Sequence, residues 1–228
     1  MSSLKLKHSG GNSVSLNPPS SAPTSSDVAF KLPNADGSAN QIIKTDGSGN
    51  LGFTNAGKIL QVVKTNVTAS SSYGTTAATH YTLTPLNTTI SPVGTNSHFI
   101  ISAQVSGEGT VSNQQYFLRL IRNTTSGFAD GDNIAIAVGD NGSNNNAPEN
   151  TSAFHGYNAA NNDSTISTSH ISNYVDSPGV AAGGNLQYKV QLYMQTSTTW
   201  YLNRTKTEYN ETYGDYLPSW LTVMEIGA

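Results

Sequence analysis

The sequence predicts an all-β protein, an antiparallel β-sandwich of the jelly-roll kind preceded by an extended N-terminal arm with short hairpins. Ser, Thr, Asn and Gly together make up 100 of the 228 residues, and charged residues only 11%. Ser, Asn and Gly compete against helices, whereas Thr favours strands. Short apolar runs that alternate with polar residues recur between Gly, Asn and Pro clusters, and no window shows sustained helical periodicity.

Residues 1–56 predict an arm rather than a domain, because their large apolar residues are sparse. A segment this small and this polar cannot build a hydrophobic core alone. Pro18 and Pro19 are followed by a Ser-rich stretch typical of a linker. We therefore predict an arm that becomes ordered on partner chains, with a flexible tail as the alternative.

Two Asp-Gly pairs in the arm lie between short apolar pieces, at Asp36-Gly37 and at Asp46-Gly47. Glycine readily adopts the positive φ that a tight hairpin turn requires. Both pairs therefore predict hairpin corners.

Residues 57–228 predict the sandwich domain. Along residues 98–105, for example, Phe99, Ile101, Ala103 and Val105 fall on one face of a strand. The spacing of eight or nine such strands indicates a sandwich or barrel. The predicted strands are 59–63, 81–84 (which ends before Pro85), 98–105, 116–122, 134–138, 165–174, 187–194, 198–202 and 220–226.

The charge pattern argues against several classes of partner. The net charge is −3, so the chain offers no basic field for nucleic acid or an anionic membrane. No apolar run approaches the roughly 20 residues of a membrane span, and the N-terminus lacks the apolar stretch of a signal peptide. Cys is absent, which excludes disulfides and thiolate metal sites. We predict neither nucleic-acid binding nor membrane insertion.

No catalytic or cofactor-binding motif is found, so the sequence predicts a protein that is not an enzyme and has no cofactor. None of the five histidines has a partner at metal-ligand spacing. A group of acidic and amide residues could bind Ca²⁺, but Ile134 stands where an EF-hand loop needs Asp or Asn. A solvated loop is the favoured interpretation, and no metal site is predicted. The group comprises Asp130, Asp132, Asp140, Glu149, Asn144 and Asn146.

The longest polar stretch, residues 139–151, is the predicted recognition loop, because loops of this length in compact domains commonly bind partners. Tyr, Asn, Ser and Gly together are also typical of binding surfaces. The alternative is that Phe154 and Tyr157 are ordinary core or strand residues. The candidate receptor-binding residues are Asn144, Asn145, Asn146, Phe154, His155 and Tyr157.

Several segments resemble a known group of proteins. They are Leu4–Asn12, Leu32–Phe53, Gly57–Val63, Leu86–Pro92, Asp176–Gly179, Tyr188–Val190, Tyr201–Thr205 and Ser219–Gly227. They resemble bacteriophage tail-fibre and other virion structural proteins, especially those of marine and cyanobacterial phages, whose C-terminal knob commonly ends on a Met-Glu-Ile strand. The resemblance implies a homotrimeric β knob on an arm attached to the virion, and it carries over no active-site residue.

The sequence leaves three functions open. The first is a tail fibre or spike on the virion surface, with residues 1–56 contacting other virion proteins and residues 57–228 binding a host surface glycan or protein. The second is a capsid decoration protein that stabilises the head, which the lack of a fibrous shaft favours. The third is a polysaccharide depolymerase, which needs a pair of acids that the sequence does not position.

Overall fold

The computed structural model describes residues 4–24, 28–39, 41–55, 59–111, 116–139, 150–154, 166–206 and 215–227. The chain divides into two compact units, Met1–Ala56 and Gly57–Ala228. They are called here the N-terminal arm and the sandwich domain. Both are built from antiparallel strands, so the predicted all-β class is confirmed.

The N-terminal arm contains two hairpins. Their strands are β1 (Leu4–Lys7) with β2 (Ser13–Leu16), and β3 (Gln41–Thr45) with β4 (Leu51–Asn55). The turn at Asp46-Gly47 is confirmed as a hairpin corner, since the Asp46 N–H donates to the Asn50 carbonyl at 3.1 Å and Gly47 has a φ of 85°. The Asp46 carboxylate also accepts hydrogen bonds from the Ser48 and Asn50 N–H groups.

The prediction of a second hairpin corner at Asp36-Gly37 is wrong. Lys31, upstream of this pair, bridges Asn50 in parallel orientation, and β3 pairs with β4 instead. Gly37 is needed there for close packing: a Cβ at this position would lie 2.6 Å from Cδ1 of Phe53. Gly37 therefore allows the backbone to pack closely against the Phe53 ring, and the chain does not reverse direction in a hairpin there.

The sandwich domain contains eleven strands among its described residues, with one short 3-10 turn at Asp130–Asp132. The strands are β5 (Ile59–Val67), β6 (Ser71–Thr75), β7 (Thr79–Thr89), β8 (His98–Gly109), β9 (Tyr116–Asn123), β10 (Ile134–Ile136), β11 (Ser152–Ala153), β12 (Ser167–Asp176), β13 (Gln187–Met194), β14 (Thr198–Leu202) and β15 (Ser219–Ile226).

These strands form two sheets. The five-stranded sheet has the order β10-β9-β13-β7, with β11 also paired to β9, and the six-stranded sheet has the order β5-β15-β8-β14-β6, with β12 also paired to β8. The long strand β8 pairs with β15 and then β14 along one edge, and with β12 along the other. Strand β13 is buried along its whole length at the centre of the five-stranded sheet.

The core lies between the two sheets and draws on both. The alternation predicted for residues 98–105 is confirmed, because Phe99, Ile101, Ala103 and Val105 are all at most 1% exposed. They pack with Leu118, Leu120, Tyr188, Val190, Leu192, Trp200, Leu221 and Val223, among others. Burial of this continuous apolar layer is the main contribution to the domain's stability.

Pro85 is where the structure departs from the predicted strand boundaries. The sequence predicts that a strand ends before Pro85, but β7 continues through it to Thr89. The ladder between β7 and β13 shifts register between Lys189 and Gln191, opposite Pro85. Such an irregularity accommodates proline, which has no N–H to donate to a neighbouring strand.

Two buried carboxylates join parts of the sandwich. Asp176 of the six-stranded sheet accepts hydrogen bonds from Arg122 Nη1 at 2.7 Å and from the Tyr188 hydroxyl at 2.8 Å, both in the opposite sheet. Burial and the Asp176 charge raise the pKa of Tyr188, so the phenol remains a donor. Glu225 on β15 accepts the N–H groups of Val93 and Gly94 at 2.9 Å, which fixes the loop before β8.

Candidate docking and recognition surfaces

The β1–β2 hairpin presents an apolar face that its own unit leaves uncovered. Leu4 pairs with Leu16 and Leu6 with Val14, so all four side chains lie on one face of the two-stranded ribbon. They are 60–70% exposed. Lys5 and the other alternate residues lie on the opposite face. A two-stranded hairpin is marginally stable by itself in water, so this face has the character of a docking surface.

The β3–β4 hairpin also carries exposed apolar side chains. Ile43 pairs with Phe53 across the β3–β4 hairpin, and the two side chains are 58% and 39% exposed. Shallow depressions beside this hairpin are lined by residues 31–36, 44–46 and 50–54. The other exposed large apolar residues of the arm are Val28, Phe30, Leu32 and Ile42. The arm therefore offers apolar surface at both of its hairpins.

Phe154, one of the predicted recognition residues, is a core residue. Its side chain is 4% exposed, its ring centroid lies 4.6 Å from that of Trp200, and its N–H donates to the Tyr116 carbonyl. Phe154 is therefore an ordinary core residue of the sandwich domain. The remaining candidates, Asn144, Asn145, Asn146, His155 and Tyr157, lie outside the described residues.

The two ends of the predicted recognition loop are held together. Gly139 N–H donates to the Asn150 carbonyl at 3.2 Å. Thr151 is tied to β9 because its N–H donates to the Leu118 carbonyl and its hydroxyl accepts from the Leu120 N–H. The sheet thus fixes where this loop leaves and re-enters the domain.

A polar and aromatic cluster lies at the base of the loop, on the outer face of the five-stranded sheet. His80 Nε2 is 3.3 Å from Asn150 Oδ1, and the His80 ring centroid lies 4.8 Å from that of Tyr193. Arg119 donates two hydrogen bonds to the Gln191 amide oxygen, at 3.0 and 2.8 Å. Burial, together with the Arg119 charge, lowers the pKa of His80 to about 4. The hydrogen bond with Asn150 opposes this shift only in part. The imidazole is therefore neutral at pH 7.

Sequence reasoning missed this cluster. Residues 80 and 150 are far apart in the chain, and they meet because β7 and β9 both pair with β13 and the loop end at Asn150 lies beside β9. The available signal was the alternation along residues 187–194, which places Gln191 and Tyr193 on the face away from the core.

The acidic residues considered for Ca²⁺ have protein partners where the structure describes them. Asp130 accepts a hydrogen bond from Lys189 Nζ at 3.0 Å, which lowers the Asp130 pKa, and Asp132 accepts one from the Thr125 hydroxyl. Among the described residues there is no group of three or more His, Asp or Glu that could hold a metal ion. Residues 140–149 fall outside the described ranges. Within the described part of the chain, no helix has the length and apolar character of a membrane span.

No protein-family model matches the chain, and no curated protein matches it in sequence. Solved structures of infectious bursal disease virus are similar to it. The Gt strain gives a TM-score of 0.39 at 11% identity over 91% of this chain, and the Gx strain 0.36 at 12% over 91%. The chain spans about half the length of the chains it matches, 47% and 50%. Neither structure is described as a bacteriophage tail fibre or knob.

Proposed function

We propose that this chain is a structural protein of a virus particle, with an N-terminal arm that docks on other virion proteins and a sandwich domain displayed on the surface. The observation that carries the proposal is the apolar face of the β1–β2 hairpin, whose four side chains are 60–70% exposed. An ordered but uncovered apolar ribbon gains stability when a partner covers it.

The finer proposal is a homotrimeric tail fibre or spike whose sandwich domain binds a host surface glycan or protein. The resemblance to bacteriophage tail-fibre proteins supports this assignment. The sandwich domain supports it as well, because the sheet anchors the ends of a long polar loop next to His80, Arg119 and Tyr193. Several weak sites on one particle act at high effective concentration, so each site needs little affinity of its own.

Capsid decoration is the second candidate. The described part of residues 1–56 forms two hairpins with exposed apolar side chains. Such hairpins suit a protein that clamps neighbouring capsid subunits. In this case, particles that lack the protein would lose resistance to heat while still adsorbing to the host.

We propose a binding and structural role rather than an enzymatic one. The support is that described carboxylates of the sandwich domain serve as hydrogen-bond acceptors within the fold. Asp176 joins the sheets, Glu225 holds a loop, and Asp130 pairs with Lys189. A depolymerase would instead direct two carboxyl groups into a groove. Incubating the protein with host polysaccharide should release no new reducing ends.

The docking role is tested by changing the two faces of the β1–β2 hairpin separately. Leu6→Ser with Val14→Ser removes half of the apolar face, and Lys5→Ser with Lys7→Ser is the matched control on the opposite face. Virions assembled with each variant are purified and the content of this protein is measured by immunoblot. We expect at least a tenfold loss of incorporation for the apolar pair and wild-type incorporation for the control. Equal incorporation of both would contradict the proposal.

A further inference from the structure

The outer face of the six-stranded sheet carries a continuous row of apolar side chains. Val62 on β5 pairs with Met224 on β15, Met224 pairs with Ile100 on β8, and Ile100 pairs with Val175 on β12. Cross-strand partners lie on the same face of a sheet, so these four side chains form one row. The core residues Val223 and Ile101, which neighbour the row along the chain, face the opposite way.

A second row extends the first. Ile226 pairs with Ile59 after a register shift, and with His98 on its other side. Together the two rows define the apolar stripe, which comprises Ile59, Val62, Ile100, Val175, Met224 and Ile226. Ile59, Val62 and Val175 are 56%, 53% and 55% exposed, and the other three are partly buried. Antiparallel sheets usually present polar residues on their solvent face. A contiguous apolar stripe on that face is therefore typical of an interaction surface.

The rows beyond the stripe are polar and almost uncharged. The next row contains Lys64, Thr222 and Ser102, and the one after it Asn66, Trp220, Gln104 and His170. Lys64 is the one charged side chain in these four rows of described residues, and its Nζ lies 5.4 Å from the centroid of the Trp220 ring. The face therefore has an apolar stripe at one end and a largely neutral polar surface next to it, and protein interfaces combine surfaces of these two kinds.

We propose that the apolar stripe is the surface through which copies of this chain associate. Charge favours a second copy as the occupant. Residues 57–228 contain seven Lys and Arg against eleven Asp and Glu, so the domain as a whole is acidic and would repel its own copy at most orientations. The four described rows that include the stripe contain no Asp or Glu, so two copies can meet there without repulsion between carboxylates.

The size of the surface agrees with self-association of moderate strength. Four strands about 4.8 Å apart make the longer row about 14 Å wide, so the stripe covers a few hundred Å². A stable dimer buries about 800 Å² per partner, which requires the neighbouring polar rows as well. We therefore expect association that depends on protein concentration. This inference deepens the proposed homotrimer, and it can fail while the docking role of the arm holds.

The test compares two charge substitutions in the stripe with one outside it. Val62→Glu and Val175→Glu each place a carboxylate in the stripe at positions already more than half exposed. Ile134→Glu is the matched control, because Ile134 is 48% exposed on the other sheet. The full-length proteins are examined by sedimentation velocity over a concentration series, and thermal unfolding verifies that each is folded.

We expect the wild type and Ile134→Glu to associate with the same dissociation constant, and each stripe variant to associate at least tenfold more weakly. A wild-type protein that stays monomeric, or stripe variants that associate like the wild type, would overturn the inference. The variant Leu6→Ser with Val14→Ser is run in parallel. If it alone abolishes association, the arm and not the stripe joins the copies.

A second measurement uses the absence of Cys from the chain. The thiols introduced by Val175→Cys and Ile134→Cys are alkylated with a maleimide at rising protein concentration. We expect alkylation of the first to slow at least fivefold as the copies associate, and that of the second to stay constant. Equal rates at all concentrations for the first variant would contradict the inference.

Discussion

At the scale of single residues, Glu225 shows how neutral hydrogen-bond donors hold a buried charge. Its carboxylate accepts hydrogen bonds from two backbone N–H groups, the Ser97 hydroxyl at 2.7 Å and the Gln61 amide at 2.6 Å. Burial by itself would raise the pKa of Glu225, but these hydrogen bonds outweigh it and lower the pKa. The carboxylate therefore ties the loop that contains Val93 and Gly94 to the C-terminal strand.

We predict that Glu225→Gln lowers the free energy of unfolding by about 2 kcal/mol at pH 7, because the new amide group cannot accept all of these hydrogen bonds. Urea unfolding measures the change. Asp215→Asn, at an exposed position, is the control and should change stability by less than about 0.5 kcal/mol. Equal stability of the two variants would contradict the structural role of Glu225.

His80 predicts a pH dependence of stability. Its pKa falls from 6.5 to about 4 on folding, so between these values the unfolded chain binds more protons than the folded one. Stability should therefore fall as the pH falls from 6.5 towards 4. Because the half-buried imidazole is partly screened by solvent, the loss is on the order of 2 kcal/mol, which is less than the full pKa difference would give. Any contribution of Glu225 is lost at lower pH, because its folded pKa lies below the ordinary 4.5.

The variant His80→Gln isolates this effect, because glutamine does not titrate. We expect its stability to vary less with pH between 6.5 and 4 than that of the wild type, as measured by urea unfolding at several pH values. His170→Gln, at an exposed position, should keep the wild-type slope. If His80→Gln also keeps it, the neutral His80 of the folded state is not the cause.

At the scale of elements, strand β8 must pass very close to β14. Gly107 pairs with Leu202, and a Cβ at Gly107 would overlap both the Tyr201 carbonyl and the Trp200 ring. The bulky Trp200 thus fills the core because the facing strand lacks a side chain there. A side chain at position 107 should therefore disturb the pairing of β8 with β14 as well as the packing of Trp200.

We predict that Gly107→Ala destabilises the domain by about 1–3 kcal/mol, because the added methyl group forces the two strands apart. Gly74→Ala is the matched control, since a Cβ at Gly74 in β6 meets nothing within 4 Å. Thermal unfolding of both variants measures the difference. A Gly107→Ala protein with the stability of the control would show that the strands can separate without cost.

The predicted recognition loop is also tested as an element. Because Gly139 and Asn150 are hydrogen-bonded to each other, residues 140–149 can be replaced by two glycines without moving the strands. We expect a folded protein with wild-type thermal stability, and virions that carry it should adsorb to the host at least tenfold more slowly. Unchanged adsorption would place host recognition elsewhere on the molecule.

The strands were predictable from sequence wherever local alternation determines which residues are buried. Residues 187–194 and 198–202 are strands as predicted, because large apolar side chains in them meet one core. Strand β6 was missed because Ser71–Thr75 contains Tyr73 as its one large apolar residue and depends on pairing with β14. Strand β7 passes through Pro85 because its partner β13 supplies an irregular register, which no local pattern encodes.

The candidate surfaces were less predictable for the same physical reason. Phe154 follows a polar loop in sequence, but it packs on Trp200, which lies 46 positions later in the chain. The apolar stripe joins four strands from residue 59 to residue 226, and only their pairing brings its members into one row. Local patterns identify which residues are apolar, whereas the long-range register decides which face they share.

At the scale of the whole molecule, the two units differ in how far they bury their apolar side chains. The sandwich domain buries a core of more than twenty apolar side chains between its sheets. The N-terminal arm instead leaves ten large apolar side chains exposed, among them Leu32, which is 80% exposed. A chain with one unit that buries its own core and one that leaves apolar surface exposed is consistent with the proposed assembly on a larger particle.

The location of the protein in assembled particles tests the proposed function most directly. A specific Fab against the sandwich domain is bound to intact virions, which are then imaged by electron microscopy. We expect Fab density on the virion surface, at the tail for a fibre or spike and over the head for a decoration protein. Virions of the source virus that bind no Fab, under conditions in which the purified protein binds it, would contradict the proposed function.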